Sequence, residues 1–123
     1  MKIIKKSGED YLEAAFNLFE KNGYVRSIDI ATALGVTKPS AFRALKILSE
    51  QGYIQKESYG EVIITEKGIR YAQGVQKKHK AIRMLLINHL GISPQTAEID
   101  ACKIEHCLSE ETTEKLYDFL KMK

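Results

Sequence analysis

Apolar residues recur at helical spacing along most of the chain. Up to the turn at Asn22-Gly23 they fall on one side of a predicted amphipathic helix. A short helix ending at Gly35 follows, and a third is predicted to open at Thr37 and to end near Gln51-Gly52. Two short helices joined by a tight glycine turn indicate a helix-turn-helix. The apolar residues expected to face inward from the third helix are Ala41, Phe42, Leu45, Ile47 and Leu48.

The pattern changes after the third helix. Residues 53–56 and 62–65 are short β-rich runs on either side of the polar stretch 58–61, which is typical of a hairpin. A hairpin in this place is the wing of a winged helix-turn-helix. Helical spacing then returns in one long segment closed by Gly91 and in two shorter ones. We therefore predict a mostly α fold in which a winged helix-turn-helix domain with a small two-stranded β wing, residues 1–73, is followed by a helical domain, residues 74–123.

Charge is unevenly distributed between the two ends of the chain. Residues 1–80 carry 14 basic and 9 acidic side chains, whereas residues 81–123 carry 5 and 7. Because lysine and arginine pair with phosphates, the front part is the expected DNA face. The sequence contains no apolar run long enough for a membrane span and no signal peptide, so we expect a cytoplasmic protein with no membrane partner. Its two cysteines are not expected to form a structural disulfide in that reducing compartment.

Several polar residues stand where a helix-turn-helix reads DNA. The second helix of the pair enters the major groove, and its first outward residues reach base edges or phosphates. Arg43 suits a guanine edge, which accepts two hydrogen bonds from one guanidinium. The alternative for this whole group is a solvated helix face. The residues expected to contact DNA are Thr37, Lys38, Pro39, Ser40, Arg43 and Lys46, with Lys56 and Tyr59 of the wing.

A second group of residues has the spacing of a metal site. Cys102, Glu105 and His106 share one face of a predicted helix, and their thiolate, carboxylate and imidazole groups all bind first-row metals. Each candidate also has a plainer interpretation. A helical cysteine often packs in a core, an acidic pair suits a helix N-terminus, and a histidine in a basic run suits solvent or phosphate. The further candidate ligands are Asp10 and Glu13 on the first helix and His79 on the long helix.

Taken together, these motifs resemble the iron- and manganese-dependent repressors of the diphtheria toxin repressor and manganese transport regulator family. The likeness covers nearly the whole chain. It implies a winged-helix domain and a helical dimerisation domain, with metal bound at their junction, in a homodimer that binds double-stranded operator DNA and represses metal-uptake genes. It does not include the SH3-like domain of the longer members, so a short form is expected. The segments that carry the likeness are residues 9–13, 37–40, 48–54, 65–68, 78–79 and 102–109.

Matched residue by residue, the resemblance implies a ligand set that combines residues of the manganese branch and of the iron branch. Asp10 stands where the manganese branch has aspartate, and Cys102 where the iron branch has cysteine. At a second site, Arg83 stands in place of a carboxylate and Glu98 in place of a histidine of the iron branch, so that site is not expected unchanged. A weaker second site would use His79, Glu13 and Glu98. The remaining matches are Glu105, His106 and His79, which agree with both branches, and Glu13, which agrees with the manganese branch.

The resemblance and the donor types together predict a divalent transition metal as cofactor. A mixed set of soft and hard donors favours iron(II), cobalt, nickel or zinc over manganese. Because availability in cells also decides, we expect iron(II) first and manganese(II) second, with cobalt, nickel or zinc binding in vitro. Ligation requires a deprotonated thiol and imidazole, so activity should fall in acid. The metal is expected to fix the first helix against the Cys102 helix and to space the two DNA readers about 34 Å, or a multiple, apart.

Two other classes of protein share parts of this pattern. A metal-independent winged-helix regulator that senses a small ligand, or thiol oxidation at Cys102 or Cys107, would have the same front half. A metalloenzyme is the second class, but the sequence has no His-Glu-x-x-His motif, nucleophile elbow or phosphate-binding glycine loop. We therefore predict a metal-dependent DNA-binding repressor rather than an enzyme.

Overall fold

The structure, a computed structural model, describes residues 6–122 and divides the chain into two compact units. The first unit ends at Ala72 and the second begins at Gln73. The predicted mostly α fold with one small wing is confirmed. The elements, in chain order, are α1 (Lys6–Asn22), α2 (Ser27–Leu34), α3 (Lys38–Glu50), β1 (Ile54–Lys56), β2 (Val62–Ile64), α4 (Glu66–Met84), α5 (Pro94–Ile104) and α6 (Glu110–Leu120).

The core of the first unit is built from the apolar sides of α1, α2 and α3. Leu12, Ile30 and Leu45, one from each helix, are almost completely buried. Burying a leucine or isoleucine side chain stabilises a fold by about 1.5–3 kcal/mol. Since each of these side chains needs the other two helices to cover it, their burial fixes how the three helices pack.

Local sequence sets the turn between α2 and α3. Gly35 ends α2 with a left-handed φ of 66°, which glycine adopts without steric cost, and its N–H donates to the carbonyls of the last turn. Thr37 then starts α3, because its hydroxyl accepts a hydrogen bond from the Ser40 N–H at 3.2 Å. The helix-turn-helix predicted from these residues is confirmed.

The wing is a two-stranded antiparallel hairpin that leans on the same core. β1 pairs with β2 in the register Ile54↔Ile64, and both of these side chains are buried. The Val62 N–H also donates to the Val25 carbonyl at 2.9 Å, which ties the wing to the chain before α2. At the tip Tyr59 has a φ of 63°, and its side chain is 93% exposed. The wing therefore presents an aromatic side chain at its end.

The prediction that Phe42 and Ile47 face the core is wrong. The buried stripe of α3 consists of Ala41, Leu45 and Leu48, which follow one another at helical spacing. Phe42 and Ile47 lie outside this stripe and are 57% and 54% exposed. The stripe is narrower than the run of apolar residues in the sequence.

In the part that the structure describes, the second unit consists of helices joined by short turns. α4 does not run to Gly91 as one regular helix, because residues 85–89 form a π-helical turn closed by a hydrogen bond from the Leu90 N–H to the Leu85 carbonyl. Ser93 and Ser109 cap α5 and α6 through their hydroxyls. Across residues 6–122 we find no helix with the length and apolar character of a membrane span.

Candidate metal centre and DNA-binding surface

α4 and α5 bring three metal-binding side chains together in the second unit. His79 on α4 and Glu98 and Cys102 on α5 each offer a donor atom, and these atoms all lie within 4.8 Å of one another. Glu98 and Cys102 are one helical turn apart, with the Cys102 thiol 3.8 Å from the Glu98 Oε2 atom. An imidazole, a carboxylate and a thiol in one place can ligate a first-row divalent metal.

Glu105 is buried between two imidazole rings of the same unit. Its side chain is 2% exposed, with Oε1 2.6 Å from His79 Nδ1 and Oε2 4.0 Å from His106 Nε2. Among the described residues, Oε2 has no hydrogen-bond partner. A buried charged oxygen without a partner is costly, and a bound cation would satisfy it. The donors present therefore fit a metal ion.

Both ring nitrogens of His79 face carboxylates. Nδ1 lies beside Glu105, and Nε2 is 3.0 Å from Glu98 Oε2. Burial lowers the pKa of His79, but the hydrogen bonds to Glu105 and Glu98 and the charges of these two groups raise it, and the net pKa is raised. A doubly protonated ring donates to both carboxylates. A metal that ligates His79 has to displace one of these protons.

Arg83 holds the other oxygen of Glu98. Its Nε lies 3.2 Å from Glu98 Oε1, and both side chains are about half exposed. The hydrogen bond from His79 lowers the pKa of Glu98, and the charge of Arg83 adds to this effect. An exposed ion pair of this kind contributes about 0–1 kcal/mol to stability. For metal binding, the ion pair matters more because the Arg83 guanidinium already occupies one oxygen of the Glu98 carboxylate.

Two expectations about the ligands are corrected. The helix expected to carry Glu105 and His106 ends earlier: α5 ends at Ile104, Glu105 is its C-cap with its N–H donating to the Ala101 carbonyl, and His106 lies in the following turn. The Cys107 N–H donates to the Ile104 carbonyl at 2.8 Å, which tightens the chain and ends the helix. The alternative of Cys102 as a core residue is also wrong, since both cysteines are exposed free thiols.

Asp10 and Glu13 belong to the first unit. They are half-buried, one turn apart on α1, and line an open groove with Asn17 and Lys21. That they ligate a metal stays a prediction. Neighbouring Glu9 is buried and accepts a 2.7 Å hydrogen bond from the Tyr71 hydroxyl, a structural role that sequence reasoning missed.

The start of α3 presents polar side chains to solvent. The Thr37 hydroxyl is 2.9 Å from the Ser40 hydroxyl, which in turn accepts a 3.4 Å hydrogen bond from the Arg43 guanidinium. Lys38 and Pro39 are exposed beside them. An arginine and two hydroxyl groups therefore lie at the N-terminal end of α3. This is the end that the second helix of a helix-turn-helix places against base edges in the major groove.

The wing adds further positive charge next to α3. The Lys56 ammonium lies 3.3 Å from the centroid of the Phe42 ring. Burial lowers the pKa of Lys56, and the charge of Lys46 lowers it further. All eight residues predicted to contact DNA are exposed or half-buried in the first unit, and that they contact DNA stays a prediction. Phe42 was missed as a surface residue.

Two models of one protein family match the chain in succession. Residues 4–62 match the N-terminal DNA binding domain of the iron dependent repressor, and residues 65–122 match its metal binding and dimerisation domain. The first match contains the helix-turn-helix and β1 and ends at the first residue of β2, and the second contains the His79, Glu98, Cys102 and Glu105 cluster.

Similar proteins are known from several organisms. The chain is 38% identical over 120 residues to the uncharacterized HTH-type transcriptional regulator MJ0568 of Methanocaldococcus jannaschii. This alignment covers 96% of this chain and 95% of the relative. It is 34% identical to the transcriptional regulator MntR of Salmonella typhimurium over 90% of this chain and 70% of that one. The solved structure of the manganese regulator SloR is 28% identical with a TM-score of 0.80, over 94% of this chain and 54% of that one. The chain therefore spans about half the length of that structure.

Proposed function

The chain belongs to the iron-dependent repressor family, and from this we propose that it represses transcription by binding operator DNA when it holds a divalent transition metal. The observation that carries the proposal is the buried Glu105 carboxylate, which lies between two imidazoles and has an oxygen left without a hydrogen bond among the described residues. A bound cation would satisfy such a group. We propose no catalytic role.

The ligands that we propose in the second unit are His79, Glu98, Cys102, Glu105 and His106. A bound ion supplies a fixed positive charge that neutralises these carboxylates and orients the rings and the thiolate around it. One thiol among imidazoles and carboxylates is a mixed donor set, which favours iron(II), cobalt, nickel or zinc over manganese. Availability in cells then puts iron(II) first and manganese(II) second. Asp10 and Glu13 stay predicted ligands from the first unit.

The proposed DNA contacts are made by α3 and the wing. Arg43 reads a guanine edge, and the surrounding hydroxyl and lysine side chains bind phosphates. A homodimer carries two such readers, so its operator has two half-sites one helical turn, or a multiple, apart. The family's dimerisation domain, matched by residues 65–122, supports this assembly.

The test is a metal titration followed by DNA binding under anaerobic conditions. Iron(II), manganese(II), cobalt(II) and zinc(II) are compared on the full chain, with duplexes selected from a randomised pool. We expect stoichiometric metal uptake and an increase in DNA affinity of about 5–150-fold, which a chelator reverses. Uptake of no ion, or equal DNA binding with and without chelator, would exclude the proposal. A parallel measurement of DNA binding with chelator and an added oxidant tests the alternative of a metal-independent thiol sensor.

Two substitutions locate the metal site. Glu105→Gln removes the buried charge and His106→Ala removes an imidazole, so both variants should keep the fold and bind metal at least about tenfold more weakly. Glu114→Gln, at an exposed position on α6, is the matched control. Circular dichroism verifies the fold, and calorimetry measures the affinity. Parent-like metal-dependent DNA binding by either variant would contradict the assignment.

A further inference from the structure

Phe42 is a large aromatic side chain exposed on the side of α3 that carries Lys38 and Lys46. It follows Lys38 by one helical turn and precedes Lys46 by one turn, so it lies between two lysines along the helix. Its exposure of 57% is high for a phenylalanine, a residue type that folded proteins mostly bury. The core does not account for this ring, because the buried stripe of α3 runs through Ala41, Leu45 and Leu48.

The ring is held in place and forms part of a groove. The Lys56 ammonium at 3.3 Å from the ring centroid makes a cation–π contact that orients it from the wing. Phe42, Ile28 and Tyr59 line a groove that Arg26 and Lys38 border with positive charge. An apolar floor with a basic border suits a ligand that offers an apolar group beside phosphates.

We propose that Phe42 is a specificity-determining residue that contacts the 5-methyl groups of thymines in the major groove. This rests on the proposed function, since it requires α3 to lie against DNA. Thymine is the base that presents a methyl group in the major groove, and apolar side chains, phenylalanine included, read it by contact. The basic border pairs with the phosphates on either side.

The size of the effect follows from the area that one methyl group buries. Burial of a methyl-sized group corresponds to a preference of about fourfold. The parent protein should therefore bind a thymine-containing half-site about fourfold more tightly than the same site with deoxyuracil, which lacks only that methyl. The Phe42→Ala variant should bind both sites equally.

The experiment uses the full metal-loaded chain and a duplex that the parent protein selects from a randomised pool. Each thymine is replaced in turn by deoxyuracil, and each cytosine by 5-methylcytosine, and affinities are measured for the parent and for Phe42→Ala. Phe19→Ala removes an equally large exposed ring from α1 and is the matched control. It should keep the methyl preference of the parent, while Phe42→Ala loses it and still requires metal to bind.

Several results would overturn the proposal. A parent protein that binds thymine and deoxyuracil alike at every position has no methyl contact. A Phe42→Ala variant that keeps the preference, or a Phe19→Ala variant that loses it equally, assigns the preference elsewhere. If the parent selects no sequence even with metal, the proposed function fails first and this inference fails with it. Metal-dependent selection without methyl preference refutes the role of Phe42 alone.

Discussion

At the residue scale, Glu98 is shared between an imidazole and a guanidinium. One oxygen lies 3.0 Å from the His79 ring and the other 3.2 Å from Arg83 Nε. A metal that binds Glu98 has to compete with Arg83 and is repelled by its charge. We predict that Arg83→Ala raises metal affinity about two- to fivefold, which corresponds to about 0.5–1 kcal/mol, the upper part of the range for an exposed ion pair. Isothermal titration with cobalt(II) measures the change.

A second arginine on the same helix provides the control for this prediction. Arg70 pairs with Glu66 at 2.8 Å, one turn apart on α4 and highly exposed. Arg70→Ala removes the same charge from α4 but no neighbour of the donor cluster, so metal affinity should stay at the parent value. Equal affinities for parent and Arg83→Ala would contradict the prediction that Arg83 competes with the metal for Glu98.

Spacing in the sequence grouped Cys102, Glu105 and His106 on one predicted helix, although α5 ends at Ile104, before two of them. The 2.6 Å contact between Glu105 and His79 joins residues 26 positions apart, so no local period predicts it. The exposure of Phe42 was also missed, because a run of apolar residues indicates a buried side but not how wide that side is. Side-chain roles that depend on packing between helices need the structure.

At the scale of elements, Gly68 lies in the first turn of α4, where this helix passes close to Tyr53 and Ile64. A Cβ atom at this position would overlap the Tyr53 carbonyl oxygen and lie 2.9 Å from a methyl carbon of Ile64. Both are firmly placed, since Tyr53 and Ile64 are buried. We predict that Gly68→Ala lowers the free energy of unfolding by about 1–3 kcal/mol. Urea denaturation of the metal-free protein measures it.

Gly74 is the matched position on the same helix. The space where its Cβ would stand holds no atom within 4 Å among the described residues, and it lies in the interior of α4. Gly74→Ala should therefore raise the free energy of unfolding by about 0.5–1 kcal/mol, because alanine loses less backbone entropy in a helix. Two substitutions of the same kind should thus have opposite signs. A loss of stability in both would show that helix entropy is outweighed at Gly74 as well.

Helix starts and stops were the most predictable features of these elements. Gly35, Thr37 and Ser93 act through their own backbone or hydroxyl geometry, so their positions can be read from the sequence. The π-helical turn at residues 85–89 and the end of α5 at Ile104 were not predicted. Both occur inside continuous helical patterns, where no cap or breaker residue marks the change.

At the scale of the whole molecule, the donor cluster and the surface that we propose contacts DNA belong to different units. His79, Glu98, Cys102 and Glu105 follow Gln73, while α3 and the wing precede Ala72. Any effect of metal on DNA binding is therefore a coupling between two distinct sites. Linkage requires such a coupling to be reciprocal, so the operator must strengthen metal binding by the same factor as metal strengthens operator binding.

This reciprocity predicts that the operator changes metal affinity by the same factor as the metal changes DNA affinity. Metal titrations with the selected operator duplex in excess should give an affinity about 5–150-fold higher than titrations without DNA, equal to the metal effect on DNA affinity. A duplex of shuffled sequence is the control for phosphates that bind metal directly. Arg43→Ala should keep the metal affinity of the free protein and lose the increase caused by the operator. Unequal factors would mean that the ion that strengthens DNA binding is not the ion held by the cluster.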